Sequence, residues 1–212
     1  MTKKKWDILL HILIIVTTFW AVVMYFIGEP DILGSHDVQC FKYFTTDSNI
    51  LAALGSVVYL WALARKDRDA KVPQWVTVFK FVGTVAASIT LLTVCFFLVP
   101  MAVIRSGRFT SVPLFFKGNV FVLHFSTPVL AIIASLFLEK EEKVTKKQAA
   151  LGVVPPILYG LVYLLMVVVF KVWTDWYGFT FGGKLWLVPL VMAVMFLFSY
   201  GLSMAERAIK NS

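Results

Sequence analysis

Charge is what this 212-residue chain has least of. Only 15% of its residues are charged, while 59% are hydrophobic; a soluble domain carries about 25% charged residues. Mean hydropathy is +0.82. No hydrophilic stretch is long enough to fold alone, which excludes a soluble enzyme carried on a membrane tail. Cysteine is nearly absent. Cys40 and Cys95 set neither a disulfide framework nor a zinc-ligand spacing, and the sequence leaves open whether they pair. No repeat, low-complexity tract or linker divides residues 1–212, so a single domain is expected. The net charge of +8 comes from basic residues placed between apolar runs. They make no patch for a nucleic acid, so no such partner is expected.

What the chain does have is six apolar runs, at 6–27, 43–64, 75–99, 118–138, 149–170 and 185–205. About 20 apolar residues cross a bilayer as a helix, so the expected fold is all-α, a polytopic bundle of six transmembrane helices. Charges or turn residues bound each run, including Gly28-Glu29-Pro30, Pro73, Pro113 and Gly182-Gly183. Trp6, Trp61, Trp75, Trp173, Trp176 and Trp186 lie near run ends, as interfacial aromatic belts require. The first run is long for a signal peptide and lacks a small-x-small cleavage site, so it is expected to stay as a span. With the N-terminus inside, thirteen Lys and Arg fall on the inner side and six on the outer, with Lys80 inside a run. Both termini are therefore expected in the cytoplasm.

Polar groups at membrane depth each need a reason. Asp7 and His11, at i,i+4 near the inner surface, read as a solvated helix end, and Lys80 as a side chain that snorkels to the interface. Gly83, Thr84, Ala87, Ser88, Ser199, Gly201 and Ser203 read as close-packing positions between helices.

The second run is different. It opens Tyr43-Phe44-Thr45-Thr46-Asp47-Ser48-Asn49, with five polar residues in succession. Thr45, Ser48 and Asn49 share one helical face. That face continues through Ala52, Gly55, Ser56 and Tyr59. Capping by Thr46, Asp47 or Ser48 needs only one oxygen and leaves the rest of the face unexplained. The fourth run carries His124, with Ser126 and Thr127 on the next turn. At 1.5 Å per residue His124 lies about 9 Å into its run and Thr45 about 3 Å into its own, from the same side.

A hydroxyl beside an imidazole in a desolvated pocket can act as a nucleophile, with the imidazole as its general base. Nearby donors would hold the oxyanion. Asn49 and helix-start N–H groups are candidate donors, with Ser48 beside them, and Asp47 is a candidate for orienting the imidazole. The alternative is a structural hydrogen bond between Thr45 and His124.

Three stretches resemble the androgen-induced-gene-1-like family, which includes the androgen-dependent TFPI-regulating protein. They are Phe41-Lys42-Tyr43-Phe44-Thr45, the segment from His124 through Thr127-Pro128 to Glu139, and Trp176-Tyr177-Gly178-Phe179. The resemblance implies a six-helix membrane hydrolase of fatty acid esters of hydroxy fatty acids, with Thr45 as the nucleophile and His124 as the base. On this basis Ser126, Thr127, Trp176 and Tyr177 are expected in the substrate pocket. The chain departs from the animal members in Phe125-Ser126 after the histidine and in Gly178, which stands where they have proline. Its Thr-Thr-Asp-Ser-Asn run is similar to bacterial relatives, implying the plasma membrane of a prokaryote.

The expected activity is therefore lipid ester hydrolysis through an acyl-enzyme, with no metal and no cofactor. The partners are a lipid ester substrate and membrane lipids, and the oligomeric state is left open. Glu29, Asp31, His36, Asp37 and Asp175 would form a polar mouth that admits water, although such residues are more often just a solvated loop. Two rivals belong to other classes: a non-catalytic lipid-binding protein and a small-solute transporter. Mostly apolar inner halves of the second and fourth runs argue for a blind pocket over a pore.

Overall fold

The computed structural model describes residues 2–28, 36–65, 71–106, 115–139 and 143–212. Among these the chain is all-helical, without a strand. Six helices are long and apolar enough to cross a membrane: α1 (Lys3–Ile27), α2 (Phe44–Arg65), α3 (Gln74–Ile104), α4 (Gly118–Leu138), α5 (Lys146–Val169) and α6 (Leu185–Asn211). This is an integral multi-pass membrane protein. Both ends of the chain lie at one end of the bundle, here the terminal end, and α2 and α4 start from the opposite, far end. Of the expected turn and mouth residues, Glu29, Pro30, Asp31 and Pro113 lie outside the described residues, as do Lys66, Arg68, Arg108 and Lys140 among the counted basic residues.

The sequence placed the end of the third span at 99, next to Pro100, yet α3 runs on to Ile104. Proline lacks an N–H and its ring clashes with the carbonyl four residues back. The helix absorbs this by widening to a π turn over Val94–Leu98, which contains Phe96, the residue four before Pro100. The same device recurs before Pro128. There the π turn Val122–Ser126 contains His124, again four residues before the proline.

The bundle is polar inside and apolar outside. Phe19, Phe96, Ile104 and Trp186 are each at least 70% exposed, as a lipid-facing surface requires. Polar residues such as Thr46, Asn49, Ser56 and Thr127 are fully or almost fully buried. An apolar layer of Ile14, Ala52, Ala87, Ala131 and Ala134 crosses the middle. In each helix it falls between the polar residues of the far end and those of the terminal end.

α2 and α3 approach closely because glycine leaves room. A Cβ on Gly83 would lie 3.0 Å from both the Ala52 Cα and the Leu51 carbonyl oxygen, and one on Gly55 would lie 3.0 Å from the Lys80 Cα. Thr84, Ala87 and Ser88 are buried on the same helix. Gly201 departs from the close-packing expectation, since it is exposed and a Cβ there would meet nothing within 4 Å. Cys40 and Cys95 are both free thiols.

Candidate active site

A short 3-10 turn, Asp37–Lys42, delivers the chain to the start of α2. In the first helical turn the N–H groups of Thr46 and Asp47 donate to the Tyr43 carbonyl. Those of Phe44 and Thr45 precede the helical ladder, as the first N–H groups of any helix do. The face that carries Thr45 also buries Ser48, Asn49, Ala52, Gly55, Ser56 and Tyr59. The polar seam read from the sequence is therefore the inward face of α2.

Thr45 and His124 meet. The Thr45 Oγ1 lies 3.2 Å from the His124 Nε2. For Nε2 to accept the hydroxyl proton, the neutral ring must carry its own hydrogen on Nδ1. Nδ1 is buried without a partner in hydrogen-bond geometry, and the Val120 carbonyl is the backbone acceptor facing it. Phe115 packs edge-on against the imidazole, with ring centroids 6.2 Å apart.

Asn49 has a different place from the one expected of it. Its Nδ2 donates to the Thr45 carbonyl at 2.6 Å and to the Leu123 carbonyl at 2.8 Å. Both amide hydrogens are spent, so Asn49 is not an oxyanion donor. It instead ties the backbone of Thr45 to the residue preceding His124. Ser48 donates to the Thr45 carbonyl at 3.1 Å and bonds to the Thr90 hydroxyl at 2.8 Å, which fixes the turn to α3. Asp47 does not orient the imidazole. Two residues beyond Thr45 it faces the opposite way, is exposed, and lines a smaller cavity of about 330 Å³ with Leu158 and Trp173.

A cavity of about 740 Å³ opens beside Thr45, walled chiefly by apolar residues of α3, α5 and α6 and by the loop before α6. Thr45 and Tyr177 both line it. Of the other residues expected there, Thr127 is fully buried and bonded to Thr17 at 3.0 Å. Ser126 and Trp176 do not line the cavity; Trp176 packs on Tyr43, Tyr163 and Trp173. Of the four residues expected in the pocket, Tyr177 alone is on the cavity wall. His124 touches the Thr45 hydroxyl without lining the cavity.

The loop before α6 is built around Asp175, which was expected in a solvated mouth. The carboxylate accepts from the Tyr163 hydroxyl at 2.8 Å, the Phe179 and Thr180 N–H groups at 2.9 Å each, and the Thr180 hydroxyl at 2.6 Å. Burial pushes the carboxyl upward, but these donors outweigh it and hold it below its ordinary value. Gly178, at φ 72°, supplies the left-handed turn that follows Tyr177. The other described members of the expected mouth, His36 and Asp37, pair with each other at 2.8 Å.

A second polar cluster lies at the terminal end, and here the sequence reading is corrected. Asp7, His11 and Lys80 are 6%, 1% and 3% exposed. None is a solvated helix end or a snorkelling side chain. Glu139 is the hub, bonding to the His11 Nε2 at 2.7 Å and pairing with Lys80. Lys210 stands 3.5 Å from the Glu139 carboxylate and donates to the Glu139 and Ser135 carbonyls. Tyr59 donates to Asp7 at 2.9 Å, and Ser56 bonds to the His11 Nδ1 at 2.9 Å. The ligand atoms of Asp7, His11 and Glu139 come within 4.8 Å of one another. Two lysines, Lys80 and Lys210, already stand against the two carboxylates. The sequence carried one signal for it: lone ionisable residues on several spans at similar depth, each of which needs a partner.

No protein-family model, curated protein or solved structure matches the chain.

Proposed function

We propose that the protein is an intramembrane ester hydrolase acting on lipid esters, with Thr45 as the nucleophile and His124 as its general base. The observation that carries this reading is a threonine hydroxyl 3.2 Å from an imidazole nitrogen, on the wall of an apolar cavity of about 740 Å³. The resemblance to the androgen-induced-gene-1-like hydrolases, at Thr45, His124 and the Trp176–Phe179 stretch, points the same way. With both termini cytoplasmic, as the Lys and Arg distribution favours, the site lies in the outer leaflet. A neutral ester dissolved in the bilayer reaches it laterally.

The chemistry runs in two steps. The Thr45 Oγ bonds to the acyl carbon while its proton passes to the His124 Nε2, and the carbonyl π pair moves onto oxygen. The tetrahedral species collapses, the alcohol leaves with the proton from His124, and the acyl group stays on Thr45. Water, deprotonated by His124, then attacks the acyl-threonine and releases the acid. Desolvation favours this pair, because a dry site strengthens each polar contact to the developing charge.

The transporter alternative needs a polar path through the bundle. Polar clusters exist at both ends, and among α1–α4 the layer of Ile14, Ala52, Ala87, Ala131 and Ala134 lies between them. Thr45→Ala and His124→Ala are each expected to abolish hydrolysis of a long-chain acyl ester in detergent or liposomes, while the protein still elutes as a folded species. Turnover retained in either variant overturns the assignment.

A further inference from the structure

Hydrolysis at Thr45 requires a donor for the oxyanion, and Asn49, the side chain expected to supply it, has both hydrogens committed elsewhere. Three tyrosines cluster beside the site: Tyr159 and Tyr163 on α5, and Tyr177 on the loop before α6. Each hydroxyl has one proton, and its destination follows from its partners. Tyr159 lies 2.6 Å from the Lys42 carbonyl, which can only accept, so its proton is spent there. Tyr163 lies 2.8 Å from the Asp175 carboxylate, which spends the second.

Tyr177 is different. Its hydroxyl is faced by the Phe44 N–H, the Tyr159 hydroxyl and the Trp176 indole. The Phe44 and Trp176 groups are donors and the Tyr159 proton is spent on Lys42, so the Tyr177 proton rests on the neutral Tyr159 oxygen, a weaker acceptor than an ester oxyanion. The side chain lines the same cavity as Thr45. Burial pushes the hydroxyl up to about 12, so it stays protonated at working pH.

We infer that Tyr177 is a further catalytic residue, whose hydroxyl donates a hydrogen bond to the carbonyl oxygen of the ester as that oxygen becomes negative. This assignment rests on the hydrolase reading above. Tyr177 transfers no proton: it stabilises charge on the oxygen while the proton from Thr45 travels to His124. The loop architecture follows from the role. Asp175 gathers its four hydrogen bonds around the segment, and the Tyr177 N–H donates to the Tyr163 hydroxyl at 3.1 Å. Together they hold one side chain at a fixed place on the cavity wall. A preorganised donor is what oxyanion stabilisation requires, since a mobile one would lose the advantage over water.

The test compares a long-chain trifluoromethyl ketone, which forms a tetrahedral oxyanion adduct with a nucleophilic hydroxyl, with the chain-matched secondary alcohol, which fills the cavity without such an oxygen. Tyr177→Phe keeps the ring and removes the donor. It is expected to weaken inhibition by the ketone about 10²–10³-fold, the effect of losing one oxyanion donor, and to leave alcohol binding within about 3-fold. The ratio of the two is independent of the fraction of protein that folds. An unchanged ratio, with the wild type inhibited normally, overturns the role of Tyr177 and leaves the hydrolase reading standing. A wild-type protein that forms no ketone adduct overturns both.

Discussion

Asn49 offers a perturbation that separates geometry from stability. The residue is fully buried, and its amide bridges the Thr45 and Leu123 carbonyls. In Asn49→Leu both bonds vanish while shape is nearly kept. At about 0.5–1.5 kcal/mol for each buried hydrogen bond the loss is about 1–3 kcal/mol. Part of it is offset because the Asn49 Oδ1, buried without a partner, disappears as well. The Thr45 carbonyl keeps the Ser48 hydroxyl at 3.1 Å, so the greater loss falls on the α4 side, at the residue before His124. The effect on the reaction exceeds the effect on the fold. The Asn49 bond and the 3.2 Å contact itself are the hydrogen bonds that join α2 to the π turn. A shift of about 1 Å in that contact costs about 10² in rate. Thermal unfolding in detergent and single-turnover ester hydrolysis would be measured on the same preparation, with activity normalised to the folded fraction. A normalised rate within about 3-fold of wild type, well short of the 10² for such a misplacement, would refute the reasoning.

Other perturbations follow from the rest of the bundle. Glu139→Ala leaves Lys80, Lys210 and His11 without their common acceptor and should destabilise the protein by about 3–5 kcal/mol, the usual cost of breaking a buried ion pair; thermal unfolding checks it, and an unchanged midpoint would show the cluster to be dispensable. Gly83→Ala forces a Cβ to 3.0 Å from backbone atoms of α2 and should cost about 1–3 kcal/mol through overpacking, with the normalised single-turnover rate preserved. Asp175 gives a pH dependence. Its folded value lies below the ordinary 3.8, so its contribution is complete above that value and is lost as pH falls through the folded one. Fluorescence of Trp176, read in a Trp173→Phe variant because Trp173 shares a cavity with Asp47, should stay flat from neutrality down to about pH 5 and change only below about pH 4, and a transition near pH 6 would contradict the hydrogen bonding described.

The six spans were legible because a bilayer imposes a length and an apolar composition that few other folds share. Thr45 was legible because five polar residues in succession at a span's mouth are costly without a use, and His124 because it is a lone imidazole at depth. Their contact was anticipated from their entry on the same side and from the family resemblance, since depth says nothing of rotation about the helix axis. Asp47 shows the limit: it is two residues from Thr45 in sequence, yet it faces away. The terminal-end cluster was misread for the same reason. Asp7 with His11, and Lys80 by itself, were each read within their own span, while their partners Glu139 and Lys210 arrive from α4 and α6. Lys210 had been counted as a topological charge at the membrane surface, and it is fully buried. The cavity itself was not legible, because its walls come from α3, α5 and α6, whose lining residues read in sequence as ordinary membrane apolar residues.

The central claim, that the Thr45 oxygen is a nucleophile activated by His124, is tested most directly by mapping the adduct of a long-chain fluorophosphonate on the full chain by peptide mass spectrometry. The expected result is a single phosphonylated residue, Thr45, formed quickly in the wild type and lost in His124→Ala. Labelling elsewhere, or equal labelling of Thr45 with and without the imidazole, would contradict it.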